Sequence, residues 1–197
     1  MKAIVRVILL LLFSKSAFGQ ANSLTLDLAA FYFQTKEERA NNNGDTTKYE
    51  QSYLFYSLGL CYRFTTFCLG GKYYSGEIGS LNSSGIVDGQ LEYEGFGVTF
   101  GAFPDNWSLQ LTYFLSAEKR IGDAGFAGDT NIEYPAKQAY LIDIAYGFKA
   151  GSFSVGPMLR ISEFSYDKRT VAGVESSLAN TEKDSMQMPM VAFWMGF

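Results

Sequence analysis

Between Tyr53 and Phe64 the chain alternates without a break. Leu54, Tyr56, Leu58, Leu60, Tyr62 and Phe64 form one series, and Phe55, Ser57, Gly59, Cys61 and Arg63 interleave with it. A period of two residues places the first series on one face of a strand and the second on the other. A helix would mix the two series on every side, so this segment folds as a strand or not at all.

The same alternation recurs along the chain. Residues 23–34 set Leu24, Leu26, Leu28, Ala30 and Tyr32 against Thr25, Asp27 and Ala29. Residues 67–75 set Phe67, Leu69, Gly71 and Tyr73 against Cys68, Gly70, Lys72 and Tyr74. Further strands are expected over about 91–103, 107–117, 138–149, 153–166 and 186–197. In the last, Val191, Phe193, Met195 and Phe197 share a face, opposite Ala192, Trp194 and Gly196.

The links between these eight segments alternate in length. Thr65-Thr66, Pro104-Asp105-Asn106 and Ala150-Gly151-Ser152 are tight turns. Residues 36–50, 76–90, 118–137 and 167–185 are polar, Gly- and Asn-rich stretches that read as four long loops. A meander with one end tight and the other loose is the layout of a transmembrane β-barrel, with short periplasmic turns and longer outside loops.

The side on which the charges fall carries more weight still. Asp27, Arg63, Lys72, Asp143, Lys149 and Arg160 all lie opposite the Leu/Ile/Val series. A soluble sheet protein buries its apolar face and scatters charge over the other. Here the apolar face is continuous, and the charged face is small, mixed in sign and rich in glycine. The pattern predicts an eight-stranded antiparallel barrel with lipid outside and a polar lumen filled by a structural charge network of those six residues. A soluble lipocalin-like ligand carrier is the architectural rival, being also a closed barrel of eight strands.

Aromatics flank the tight turns at Tyr62, Phe64, Phe67, Phe100, Trp107, Tyr146, Phe148, Phe153 and Phe197. Tyr32, Tyr73, Tyr113 and Tyr140 lie toward the other end. Two such sets read as interfacial girdles. Pro157 falls mid-strand, where a missing N–H is awkward in a closed sheet, and a bulge at Gly156-Pro157 is expected.

The amino terminus agrees with export. Lys2 and Arg6 precede an apolar run from Val7 to Phe13, followed by Ala17-Phe18-Gly19. This is the layout of a cleaved signal peptide over residues 1–19, too short to span a bilayer as a helix. Its removal takes Lys2, Arg6 and Lys15 and no acid, leaving 13 basic against 20 acidic residues, net −7. About 178 residues then form a single domain, 20–197. That charge argues against nucleic-acid binding.

Composition also narrows the chemistry. The chain has no histidine, so an imidazole base, proton shuttle or His-ligated metal is excluded. No catalytic, cofactor or metal site is expected. Cys61 and Cys68 straddle the Thr65-Thr66 turn, both on the inward face. An oxidising periplasm would permit a disulfide between them. Whether the two sit directly opposite or one step diagonal depends on the turn register, and a diagonal pair could exceed the allowed separation.

Taken with the ending Phe193-Trp194-Met195-Gly196-Phe197, these features resemble the small bacterial outer-membrane β-barrel proteins of the OmpX and OmpA-membrane-domain type. The resemblance spans signal peptide, strands, tight turns and terminal strand. It implies a Gram-negative outer membrane with both termini periplasmic. It also implies contact with lipid and lipopolysaccharide, and assembly as a monomer by the barrel-assembly machinery and periplasmic chaperones, which would read Val191, Phe193, Met195 and Phe197. The expected role is structural or surface interaction through the outside loops. A narrow porin or OmpW-like channel for small or hydrophobic solutes is the alternative. A lipid-modifying barrel enzyme is disfavoured by the missing histidine.

Overall fold

The computed structural model describes residues 22–40, 46–82, 87–122 and 132–196. The leader expected over residues 1–19 and the terminal Phe197 lie outside these residues. The described chain is all-β, and no helix in it is long and apolar enough to cross a membrane.

Nine strands run in an antiparallel meander: β1 (Asn22–Ala40), β2 (Thr46–Phe64), β3 (Phe67–Asn82), β4 (Val87–Ala102), β5 (Trp107–Gly122), β6 (Ile132–Tyr146), β7 (Phe148–Ala150), β8 (Phe153–Val171) and β9 (Val174–Gly196). Each pairs with its neighbour in sequence except where β6 passes over β7 to pair with β8. The β1–β9 ladder, from Thr25 opposite Gly196 to Ala30 opposite Val191, joins first strand to last and makes the sheet ring-like.

Nine strands stand where the sequence predicts eight. The difference is at Gly147, which separates β6 from the three-residue β7 while both keep one register against β8. Ala145 faces Met158 and Phe148 faces Val155, so the lapse falls opposite Gly156 and Pro157. Proline has no N–H to donate, and the ladder fails on that side. On the other side Pro157 pairs in register with Val191. The expected bulge at Gly156-Pro157 is therefore replaced by an interruption in the neighbouring strand.

A bulge does occur in β5. Phe96 faces Ser116, whereas Gly97 faces Phe114, so Leu115 is the extra residue. Leu115 and Ser116 both point outward, and the buried series resumes at Ala117 and Lys119.

The strands also run well past the expected loops. Residues 36–40 and 46–50 pair rung by rung, as do 76–80 with 89–93, after which the register shifts and Leu81 faces Val87. The stretch over 167–185 is an extension of the β8–β9 hairpin, closed by Ala172 and Gly173 at φ 48° and 79°. Two consecutive positive φ values mark a two-residue type I′ turn, whose twist suits a hairpin. These segments carry no continuous apolar stripe, although Ile78 and Leu178 pack against the core, and their ladders still bond much of the backbone.

Strand alternation then sorts the side chains. Leu54, Leu58, Phe64, Leu69, Phe96, Phe100, Leu109, Leu111 and Leu159 are exposed on the outer face. Tyr74, Phe114, Leu141, Phe164, Met188 and Met190 are buried inside. From Trp107 to Leu115 the outward residues cover ~27 Å of strand at ~3.4 Å per residue.

Candidate functional site

The interior is layered. Nearest the tight turns, Arg63 donates from Nε to the carbonyl oxygen of Thr65 (2.6 Å) and from a terminal nitrogen to that of Phe103 (3.3 Å). Its guanidinium lies 5.4 Å from the centre of the Phe103 ring. Arg63 thus ties two neighbouring turns together, and the amide of Phe103 adds a bond to the carbonyl of Thr66.

Cys61 and Cys68 lie just inside this layer, joined by a disulfide with Cα atoms 5.7 Å apart. Cys61 pairs with Gly70 and Cys68 with Arg63, so the two are diagonal neighbours. That separation lies within the range a disulfide bridges. Phe103 and Trp194 pack against the pair. A Cβ on Gly147 would sit 2.4 Å from the Trp194 ring, so only glycine admits the indole there.

The next layer gathers four of the six charges predicted to line the lumen. Arg160, Lys72 and Asp143 are 0, 1 and 2% exposed, and Asp27 is 9% exposed. Asp143 accepts from Arg160 Nε at 2.7 Å and from a terminal guanidinium nitrogen at 2.8 Å, a bidentate pair. Lys72 Nζ donates to Asp143 at 2.8 Å and to the Gln110 side-chain oxygen at 2.6 Å, and forms an ion pair with Asp27 at 3.0 Å. Arg160 also donates to Ser57 Oγ at 2.8 Å. Two cations and two carboxylates sum to zero, and neutrality lets them stand together away from water.

Backbone geometry makes room for this cluster. A Cβ on Gly59 would fall 1.9 Å from a carboxylate oxygen of Asp27, so the acid can sit there only beside glycine. One guanidinium nitrogen of Arg160 has no hydrogen-bond partner, and the guanidinium carbon lies 5.6 Å from the centre of the Tyr74 ring.

Lys149 and Arg63 do not belong to the cluster. Lys149 is exposed in β7, two residues past the lapse at Gly147 and next to the turn, where its side chain reaches water. Arg63 is spent on the turns as described.

Above the charges lies an aromatic stack. Phe55, Tyr74, Phe164 and Phe114 follow one another with ring centres 6.2, 5.9 and 5.7 Å apart. Beyond it is a second polar cluster that the sequence did not reveal. Lys119 Nζ pairs with Asp184 at 2.9 Å and lies 4.7 and 4.5 Å from the ring centres of Tyr134 and Tyr166. Tyr93 donates to the same carboxylate at 3.2 Å. Lys119 and Asp184 fall in stretches that read as loops, and the bulge at Leu115-Ser116 shifts the parity that would otherwise have turned Lys119 outward.

Chemically, the arrangement fills space and compensates charge. No group of three or more His, Cys, Asp or Glu that could hold a metal occurs among the described residues. Asp143 has both oxygens engaged by two cations. No protein-family model matches the chain, and no curated protein matches it in sequence.

Proposed function

We propose that the ring-like sheet is an eight-staved transmembrane β-barrel of a bacterial outer membrane, with β7 as the end of the sixth stave. Its lumen is plugged by side chains. Its role is structural, or lies in surface interaction through the outer hairpins, rather than in conduction or catalysis.

The observation that carries this reading is the inverted polarity of the sheet. Fully desolvated Arg160, Lys72 and Asp143 are inside, while Leu58, Phe67, Phe100, Leu111 and Leu115 are between 47 and 67% exposed outside. Water would disfavour both choices, and a hydrocarbon exterior makes both stable. The ~27 Å of apolar strand also suits a band ~25 Å tall crossed at a tilt. The exposed Phe64, Phe67, Trp107 and Phe148 near the tight turns, and Tyr32 and Tyr113 higher up, fit girdles at the two interfaces.

Two measurements test it. Protein folded in detergent or vesicles should change gel mobility on boiling, and unchanged mobility would count against a closed barrel. In planar bilayers the plugged lumen should give no steady large openings, and sustained conductance would overturn the plug.

A further inference from the structure

The wall is not sealed over its whole height. The β1–β9 ladder has six residue pairs and stops at Ala30 opposite Val191. The ladder of β1 with β2, by contrast, continues to Ala40, and that of β9 with β8 continues to Val174. Continuing the register would set Tyr32 against Pro189, which has no N–H to give. Past this point β1 and β9 have a ladder on one side only.

A cavity of roughly 420 Å³ lies at this seam, lined chiefly by Phe31, Phe33, Phe55, Ile78, Met186 and Met188. That volume falls within the ~300–1,000 Å³ typical of small-ligand sites. Its lining is apolar and carries no charged residue, and methionines adapt to irregular chains. Thr35 and Gln51, paired across β1 and β2, give it a polar edge on the side away from the tight turns, and Gln187 borders it from the exposed face of β9. Inward it ends on aromatic rings, Phe31 lying 6.5 Å from Phe55 and Phe55 6.2 Å from Tyr74. The cavity is therefore a side pocket with an apolar floor and a polar lip, not a passage through the molecule.

We propose that the β1–β9 seam is a lateral port through which one acyl chain of a bilayer lipid enters this pocket, its headgroup held at the Thr35/Gln51/Gln187 lip. This rests on the transmembrane reading. The outward residues where the ladder stops, Tyr32 and Val191, are 64 and 61% exposed, Tyr32 in the interfacial girdle and Val191 in the apolar band below it. Under that reading the seam opens at the boundary between headgroups and hydrocarbon, and the pocket extends the hydrocarbon inward. The opposed gradient of the lining matches a chain with a polar end.

The test uses single-tryptophan reporters in full-length chain carrying Trp107→Phe and Trp194→Phe, folded into vesicles of phosphatidylcholine brominated along its acyl chains. Tyr32→Trp reports the outer wall, Phe31→Trp the pocket and Phe114→Trp the sealed aromatic stack. Each variant is checked for folding by its mobility shift on boiling, and Met186→Trp is a second reporter lining the same pocket. The port predicts that Trp at 31 or 186 loses emission to the same degree as Trp at 32, while Trp at 114 keeps its emission. Quenching at 32 with 31 and 186 as bright as 114 overturns the port and leaves the barrel standing. An absence of quenching at 32 overturns the transmembrane reading, and the port with it. A dimer in which 31 and 186 stay bright would mean that a strand of a second chain closes the seam, and also overturns the proposal.

Discussion

Asp143 holds two buried cations, and its removal should be the costliest single change in the lumen. Asp143→Leu deletes both bonds to Arg160, at 2.7 and 2.8 Å, and one of the two hydrogen bonds of Lys72. Asp27 remains, but its contact is with Lys72, so Arg160 is left buried with only the Ser57 hydroxyl. Breaking a buried pair from one side costs about 3–5 kcal/mol, because the stranded charge has no water to return to. Arg160→Met strands less, since Lys72 still touches both carboxylates, and should cost less than Asp143→Leu. Combining the two removes one positive and one negative charge and restores neutrality. Replacing a buried pair with apolar groups is often neutral, offset here by an unpaired Ser57 hydroxyl at about 1–3 kcal/mol. The double variant should therefore be more stable than Asp143→Leu alone. Urea unfolding in lipid vesicles, followed by emission of Trp107 and Trp194 and by gel mobility, gives the three free energies. Additive losses in the double variant would refute the neutral-cluster reasoning.

Other substitutions test other layers. Cys61→Ser with Cys68→Ser opens a short loop of sequence separation 7, and chain entropy puts the loss at about 2.5 kcal/mol. Urea midpoints under oxidising and reducing conditions check this, and the Ser variant should be insensitive to reductant. Ala172→Asn places a residue that tolerates left-handed φ at the 48° position and should stabilise the outer hairpin by about 0.5–1 kcal/mol. Slower amide exchange at Arg169 and Thr170 is the readout. Lys119→Met removes the Asp184 ion pair and the two ring contacts, and a cost of about 1–2 kcal/mol in the urea midpoint is expected.

How much of this was legible in the sequence depended on where apolar pattern and backbone agree. From Leu54 to Phe64 and from Phe67 to Tyr74 alternation alone assigned every side chain to its face, and it brought Asp27, Lys72, Asp143 and Arg160 inward. It did not show that Lys149 lies beyond the lapse imposed by Pro157, because the lapse is a property of the facing strand. It read 36–50, 76–90 and 167–185 as loops because ladder bonds need no apolar side chains, and outside a core nothing writes the period into the residues. The second cluster was lost for that reason, together with a one-residue bulge that no residue type announces. The diagonal placement of Cys61 and Cys68 required the register of a two-residue turn, in which Thr65 takes a φ of 58° that a β-branched residue rarely adopts.

The proposed barrel stands across a bilayer with its apolar face in the hydrocarbon. Polarised infrared spectroscopy on protein reconstituted in aligned membranes reads the strand direction against the membrane normal. A barrel in that position has strands tilted by about 35–45°, with most of their amides protected from deuterium exchange. Strands lying in the membrane plane, or protein that stays in the aqueous phase, would contradict it.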